Sequence, residues 1–86
     1  MSKYDPLQEV LTRHPGPRLT LPFLAIERIL RAPLPQSARV HVAWWANENP
    51  AVTRHAHSRA WTLAGWQASP RLDRREVVFT RTAKRG

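Results

Sequence analysis

Two adjacent tryptophans, half of the four in the chain, stand in the stretch Ser37-Ala-Arg-Val-His-Val-Ala-Trp-Trp-Ala-Asn47. On a helix capped by Ser37, the side chains of Val40, Val42, Trp44, Trp45 and Ala46 sweep most of the circumference, so such a helix must be packed on nearly every side. One narrow stripe is left to solvent. Arg39, Ala43 and Asn47 stand four residues apart, and Gln36 continues the line just before the cap. The same residues also fit a strand, because Val40, Val42 and Trp44 alternate with Arg39, His41 and Ala43. The helix is the expected form, with His41 on its apolar side as a core histidine. Trp44 and Trp45 are then core residues in preference to platforms for unpaired bases.

A chain of 86 residues closes one modest core, so 1–86 is expected to be a single domain. Fourteen lysines and arginines against six acids give a formal charge of +8, which attracts polyanions. The excess is mostly arginine, whose planar fork suits phosphates and base edges. No apolar run approaches a membrane span and the N-terminal stretch has no signal-peptide core, so no membrane partner and a cytoplasmic, soluble protein are expected. The chain has no cysteine, which excludes disulfides and thiolate metal sites. His55 and His57 would point about 200° apart on a helix, and no acid cluster accompanies them, so no metal or other cofactor is expected.

In chain order, Asp5-Pro6-Leu7-Gln8 reads as a helix start, with Asp5 as N-cap, Pro6 at the first helical position and Gln8 placed for a capping box. Tyr4 could staple back on this helix, which should stop near His14 before Pro15-Gly16-Pro17. Arg18 to Leu21 is too short for a helix and reads as a strand that hands over at Thr20, a plausible N-cap. From Pro22 to Arg31, Phe23, Ile26, Ile29 and Leu30 fall on one helical face, with Glu27, Arg28 and Arg31 on the other. Ala32 to Gln36 breaks the chain, and two helices joined by a proline-stiffened turn suggest a helix-turn-helix, with a turn longer than usual. Thr53 can cap a further helix from Arg54 to about Ala64, stopped by Gly65. A hairpin follows: Trp66 to Ser69, a loop from Pro70 to Arg75, and Glu76 to Arg81. The basic tail 82–86 is expected to be mobile.

The fold class expected from this order is α+β and winged-helix-like: three to four helices and a small antiparallel sheet ending in a β-hairpin. In that arrangement the strand at 18–21 pairs with the hairpin strand at 76–81, and the arginine-rich loop is the wing. The succession Tyr4-Asp5-Pro6-Leu7, Ile26-Glu27-x-Ile29-Leu30, Leu34-Pro35-x-Ser37-Ala38, Ala43-Trp44-Trp45-Ala46-Asn47 and Ala60-Trp61-x-x-x-Gly65-Trp66 resembles a small bacterial domain family of unknown function. Members of that family stand alone or beside nuclease-type domains, so the resemblance implies a nucleic-acid setting. The family pattern has a glycine after the Ile-Leu pair, where this chain has Arg31.

The function expected is binding of double-stranded DNA, as a DNA-binding protein or small regulator. Candidate DNA-binding residues are Gln36, Arg39 and Asn47 on the helix-turn-helix-like segment, Arg54, His55, Ser58 and Arg59 on the next helix, and Arg71, Arg74 and Arg75 in the hairpin loop. Arginine suits guanine and asparagine suits adenine, which makes Arg39 and Asn47 the base readers. The alternative is a small adaptor or inhibitor, phage or defence-related, that binds an acidic protein surface through the same positive field. RNA is a weaker third option, since no RNA-module motif is present. No nucleophile–base–acid arrangement and no glycine-rich phosphate loop stand out, so no enzyme and no catalytic residue are expected.

Overall fold

A computed structural model describes residues 2–82. It contains α1 (Asp5–Arg13), β1 (Arg18–Pro22), α2 (Phe23–Leu30), α3 (Gln36–Val40), α4 (Ala56–Thr62), β2 (Trp66–Arg71) and β3 (Glu76–Arg81), with 3-10 turns at Val42–Trp45 and Leu72–Arg74. The fold is α+β. The three strands form one antiparallel sheet in the order β1-β3-β2. The expected pairing of the 18–21 strand with the last strand is present, with Leu19 opposite Phe79 and Leu21 opposite Val77.

Alternation decides which face of the sheet is buried. Val77 and Phe79 on β3 and Trp66 and Ala68 on β2 are buried, whereas Arg18, Thr20, Gln67 and Ser69 face solvent. The helices pack on the buried face with Leu7, Leu11, Phe23, Ile26, Ala38 and Trp61. Trp45, Trp61 and Trp66 are at most 1% exposed. A fully buried indole removes roughly 150–250 Å² from water, an upper-bound gain of about 4–6 kcal/mol each. These three side chains are therefore the largest single contributors to a core of this size. Pro70 is accommodated because β2 lies at the edge of the sheet, where a missing N–H breaks no ladder.

The stretch 37–47 is neither a continuous helix nor a strand. α3 ends at Val40, His41 is extended at φ −120° and ψ 115°, and the chain resumes as the 3-10 turn. The Trp45 indole explains the break. Its Nε1 donates to the Ala38 carbonyl at 2.8 Å, taking the acceptor that a continuous helix would offer to the Val42 N–H. Breaking at His41 turns Trp45 into the core and leaves Val40, His41, Val42 and Ala43 exposed, so His41 is not a core residue.

Other boundaries differ for similar local reasons. Asp5 lies within the first turn of α1 and Tyr4 holds the N-cap position, because a Ser2–Asp5 turn runs straight into the helix. Tyr4 packs at the edge of the core, edge-on to Trp44 and His57, and these contacts lie outside α1. Thr20 stays within the sheet, and the first N–H of α2, on Phe23, donates instead to the Arg75 carbonyl at 2.8 Å. α4 begins at Ala56, since Glu48 and Thr53 hold the preceding residues out of the helix. Gly65, at φ 85°, ends that region as expected. Thr82 is tied by its N–H and hydroxyl to the Gly65 carbonyl, at 2.8 and 2.9 Å, so it is not part of a free tail. The rest of the tail, 83–86, lies outside the described residues.

Candidate nucleic-acid interface

The hairpin turn is docked on the helices. Its Arg75 carbonyl receives the Phe23 N–H, and Arg75 itself adopts the left-handed conformation at φ 53°. The docking brings the hairpin arginines beside the start of α3. A groove of about 390 Å³ is lined by Phe23, Gln36, Arg39, Val40, Leu72 and Arg75. An adjoining groove of about 290 Å³ shares Phe23, Arg39 and Arg75 and adds Arg74 and Leu24. Arg74 also borders a third concavity, of about 440 Å³, on the outer sheet face, with Arg18, Arg71, Thr20, Ser69 and Thr80. The three form one band carrying Arg18, Arg39, Arg71, Arg74 and Arg75. Sequence reasoning missed Arg18. The signal was there, because strand alternation places it on the same outer face as Thr20.

Five of the ten expected contact residues, Gln36, Arg39, Arg71, Arg74 and Arg75, thus meet on this band. The other five do not. Arg54 and Arg59 border a separate crevice between α1 and α4, beside Asp5 and Gln8, which shares no lining residue with the band. Ser58 is fully buried: its hydroxyl donates to the Ala46 carbonyl at 2.9 Å and receives the Glu48 N–H at 3.1 Å. It cannot reach a ligand, so its selection as a contact is corrected. His55 Nδ1 lies 2.9 Å from a Glu48 carboxylate oxygen, so that ring nitrogen is engaged within the fold.

The two intended base readers are also engaged within the fold. Asn47 Oδ1 accepts the Trp61 indole N–H at 2.9 Å and the Ala68 N–H at 2.7 Å, while Nδ2 donates to the Ala68 carbonyl at 3.1 Å. Asn47 therefore completes the free edge of β2 and does not continue a stripe with Arg39. Arg39 is paired with Glu27, whose carboxylate also receives the Leu34 N–H at 2.7 Å. That carboxylate holds the α2–α3 connection and turns the Arg39 guanidinium into a fixed wall of the groove.

A histidine and aromatic cluster lies outside the band. His57 stacks on Trp44 with ring centroids 3.9 Å apart, and His55 stacks in turn on His57 at 5.5 Å. The expectation that the two histidines diverge by about 200° fails because His55 precedes α4 with non-helical backbone. Burial, followed by the charge of His55, holds the His57 imidazole below its ordinary range, against weaker opposing effects of the Trp44 backbone and Glu48. Hydrogen bonds from Thr53 and His55 hold the Glu48 carboxyl below its ordinary value. A surface depression of about 810 Å³ along α1 sets Lys3 and Arg13 against Asp5 and Glu9 and has no dominant sign.

Compared with known protein families, residues 4–83 match the model of a domain of unknown function, DUF7662. The chain belongs to this family. The match spans nearly the whole DUF7662 chain, from Tyr4 past the last strand, so the band and the core both lie within it. No curated protein matches this DUF7662 member. No solved structure matches it either. Among the described residues, no helix is long and apolar enough to cross a membrane.

Proposed function

We propose that this DUF7662 chain is a binding module for duplex DNA and that the arginine band is its contact surface. The supporting observation is continuity: five arginines line three adjoining concavities, against Glu76 on the sheet, Asp73 in the hairpin turn and Glu27, the last already paired with Arg39. Guanidinium forks with neighbouring threonine and serine hydroxyls suit the closely spaced phosphates of a duplex. We read the succession of helix, strand, two helices and hairpin, with sheet order β1-β3-β2, as a winged-helix-like arrangement with α4 inserted before the hairpin. In this reading the docked hairpin is the wing, and the α3 corner is the element beside it that enters a groove. The nuclease-type neighbours implied by the sequence resemblance would give such a module a natural setting.

Arg75 adds a second line of support. Its side chain lines both grooves beside α3, so the turn that holds its backbone in the left-handed region at φ 53° also sets a guanidinium at their junction. An acidic protein partner is the rival reading, favoured by Leu24, which is 65% exposed beside Arg39, Arg74 and Arg75. Binding of random-sequence duplexes by the full chain separates the two. Tight retention that weakens with salt is expected for DNA, and absence of retention would favour the protein partner. Arg71→Ala, Arg74→Ala and Arg75→Ala combined should cost more affinity than Arg54→Ala and Arg59→Ala combined. Equal losses would reduce the band to diffuse attraction by net charge.

A further inference from the structure

The corner between α3 and the 3-10 turn carries apolar surface that the core does not use. Val40 and Val42 are 50% and 61% exposed, although Ala38 and Trp45, close by in the same stretch, are almost fully buried. Val40 also lines the groove that holds Gln36 and Arg75, so its methyl groups stand beside side chains assigned above to DNA. The polar readers of the same stretch are engaged elsewhere: Arg39 by Glu27, and Asn47 by Ala68 and Trp61. What this corner offers a ligand is therefore two exposed valines, of which Val40 lines a groove with the Arg39 and Arg75 guanidinium groups.

We infer that Val40 and Val42 read the C5-methyl groups of pyrimidines, thymine above all, in the major groove of duplex DNA. The inference rests on the DNA-binding function proposed above and adds its base preference. The thymine methyl is the apolar feature that the major groove presents, and apolar side chains recognise it by contact alone. The five-residue α3 ends at Val40 and His41 is extended, so the valines stand at the end of one short helix, an element that a groove about 12 Å wide admits. Ala43, exposed just past Val42, adds little bulk on the approach.

The test uses two duplexes of equal length, one of alternating adenine and thymine and the other with uracil in place of every thymine. Phosphate count and hydrogen-bonding edges are the same, and the methyl groups are the difference. The full chain should bind the thymine duplex about fourfold more tightly for each methyl it covers. In the double variant Val40→Ala, Val42→Ala the preference should vanish while the salt dependence of binding is unchanged. Because both valines are exposed, the variant should keep the wild-type urea midpoint, which shows that any loss is one of contact. Replacing cytosine by 5-methylcytosine in a guanine–cytosine duplex should raise affinity with the same sign. Equal binding of the thymine and uracil duplexes, with salt dependence intact, would overturn the methyl reading and leave the arginine band standing. A preference that persists in the double variant would also overturn it. Failure to bind either duplex would overturn the DNA-binding proposal together with this inference.

Discussion

Asn47 does the work of a missing strand residue: its amide exchanges hydrogen bonds with both backbone groups of Ala68 and receives the indole N–H of the fully buried Trp61. Asn47→Ala leaves these groups without partners and should lower unfolding free energy by about 2–4 kcal/mol, read by urea denaturation. A loss under about 1 kcal/mol would mean that water replaces the amide at little cost. The two non-glycine residues with positive φ, Arg31 and Arg75, make a matched pair for separating stability from binding. Arg31 follows α2 in the left-handed position and, with Ala32, donates its N–H to the Glu27 carbonyl, the geometry in which glycine is favoured. Arg31→Gly and Arg75→Gly should each stabilise the fold by about 1 kcal/mol. Only Arg75→Gly should weaken DNA binding. If Arg75→Gly leaves affinity unchanged, the side chain makes no contact with DNA and the strained backbone at this position serves no binding role.

The segment from α3 to α4 shows where the elements could be read from the sequence and where they could not. Strand alternation at 18–21 and 76–81 was legible because one face of each strand must be apolar, and the pairing follows from that. The 37–47 stretch was not legible, because both periodicities fit it and the deciding interaction, Trp45 indole to Ala38 carbonyl, competes with a backbone bond that no propensity scale includes. Likewise Ser58 fits the polar side of a helix, yet the returning loop at Ala46–Glu48 covers it. In the band, the hairpin arginines were legible from composition. That they lie beside α3 depends on the Phe23–Arg75 backbone bond, a contact between distant parts of the chain. The segment from Glu48 into the first turn of α4 should make the fold pH-sensitive. His57 is held below its ordinary value near 6.5, so the unfolded chain binds a proton more readily than the folded one. Stability contributed by neutral His57 is therefore complete above about pH 6.5 and is lost as pH falls through the folded value. Glu48 adds a separate loss at lower pH, below its ordinary value of 4.5. His57→Phe, which keeps the stack on Trp44, should flatten urea midpoints between about pH 7 and 5. An unchanged pH profile would show that His57 does not set the loss.

At the scale of the whole molecule, a three-tryptophan core fixes a sheet with one wet face, and the positive charge is distributed unevenly over the surface. The hairpin, the outer sheet face and the α3 corner share the band, while Arg54 and Arg59 border a different crevice near Asp5. Arg81 fastens the far end of the last strand to the rest of the fold, donating to the His14 and Gly16 carbonyls at 2.6 and 3.2 Å and lying over the Trp66 ring. Removing band arginines should therefore leave the sheet intact, because none of Arg71, Arg74 and Arg75 is buried or hydrogen-bonded through its side chain among the described residues. The most direct test of the band is the salt dependence of affinity for random duplex DNA. Each phosphate neutralised contributes about −0.9 to the slope of log affinity against log salt. With Arg18, Arg71, Arg74 and Arg75 on phosphates, the slope should be about −3 to −4. In the triple variant Arg71→Ala, Arg74→Ala, Arg75→Ala it should become shallower by about 2 to 3 with the urea midpoint retained. A slope that the triple variant leaves unchanged would contradict the account, because the hairpin would then be a solvated turn with no role in binding.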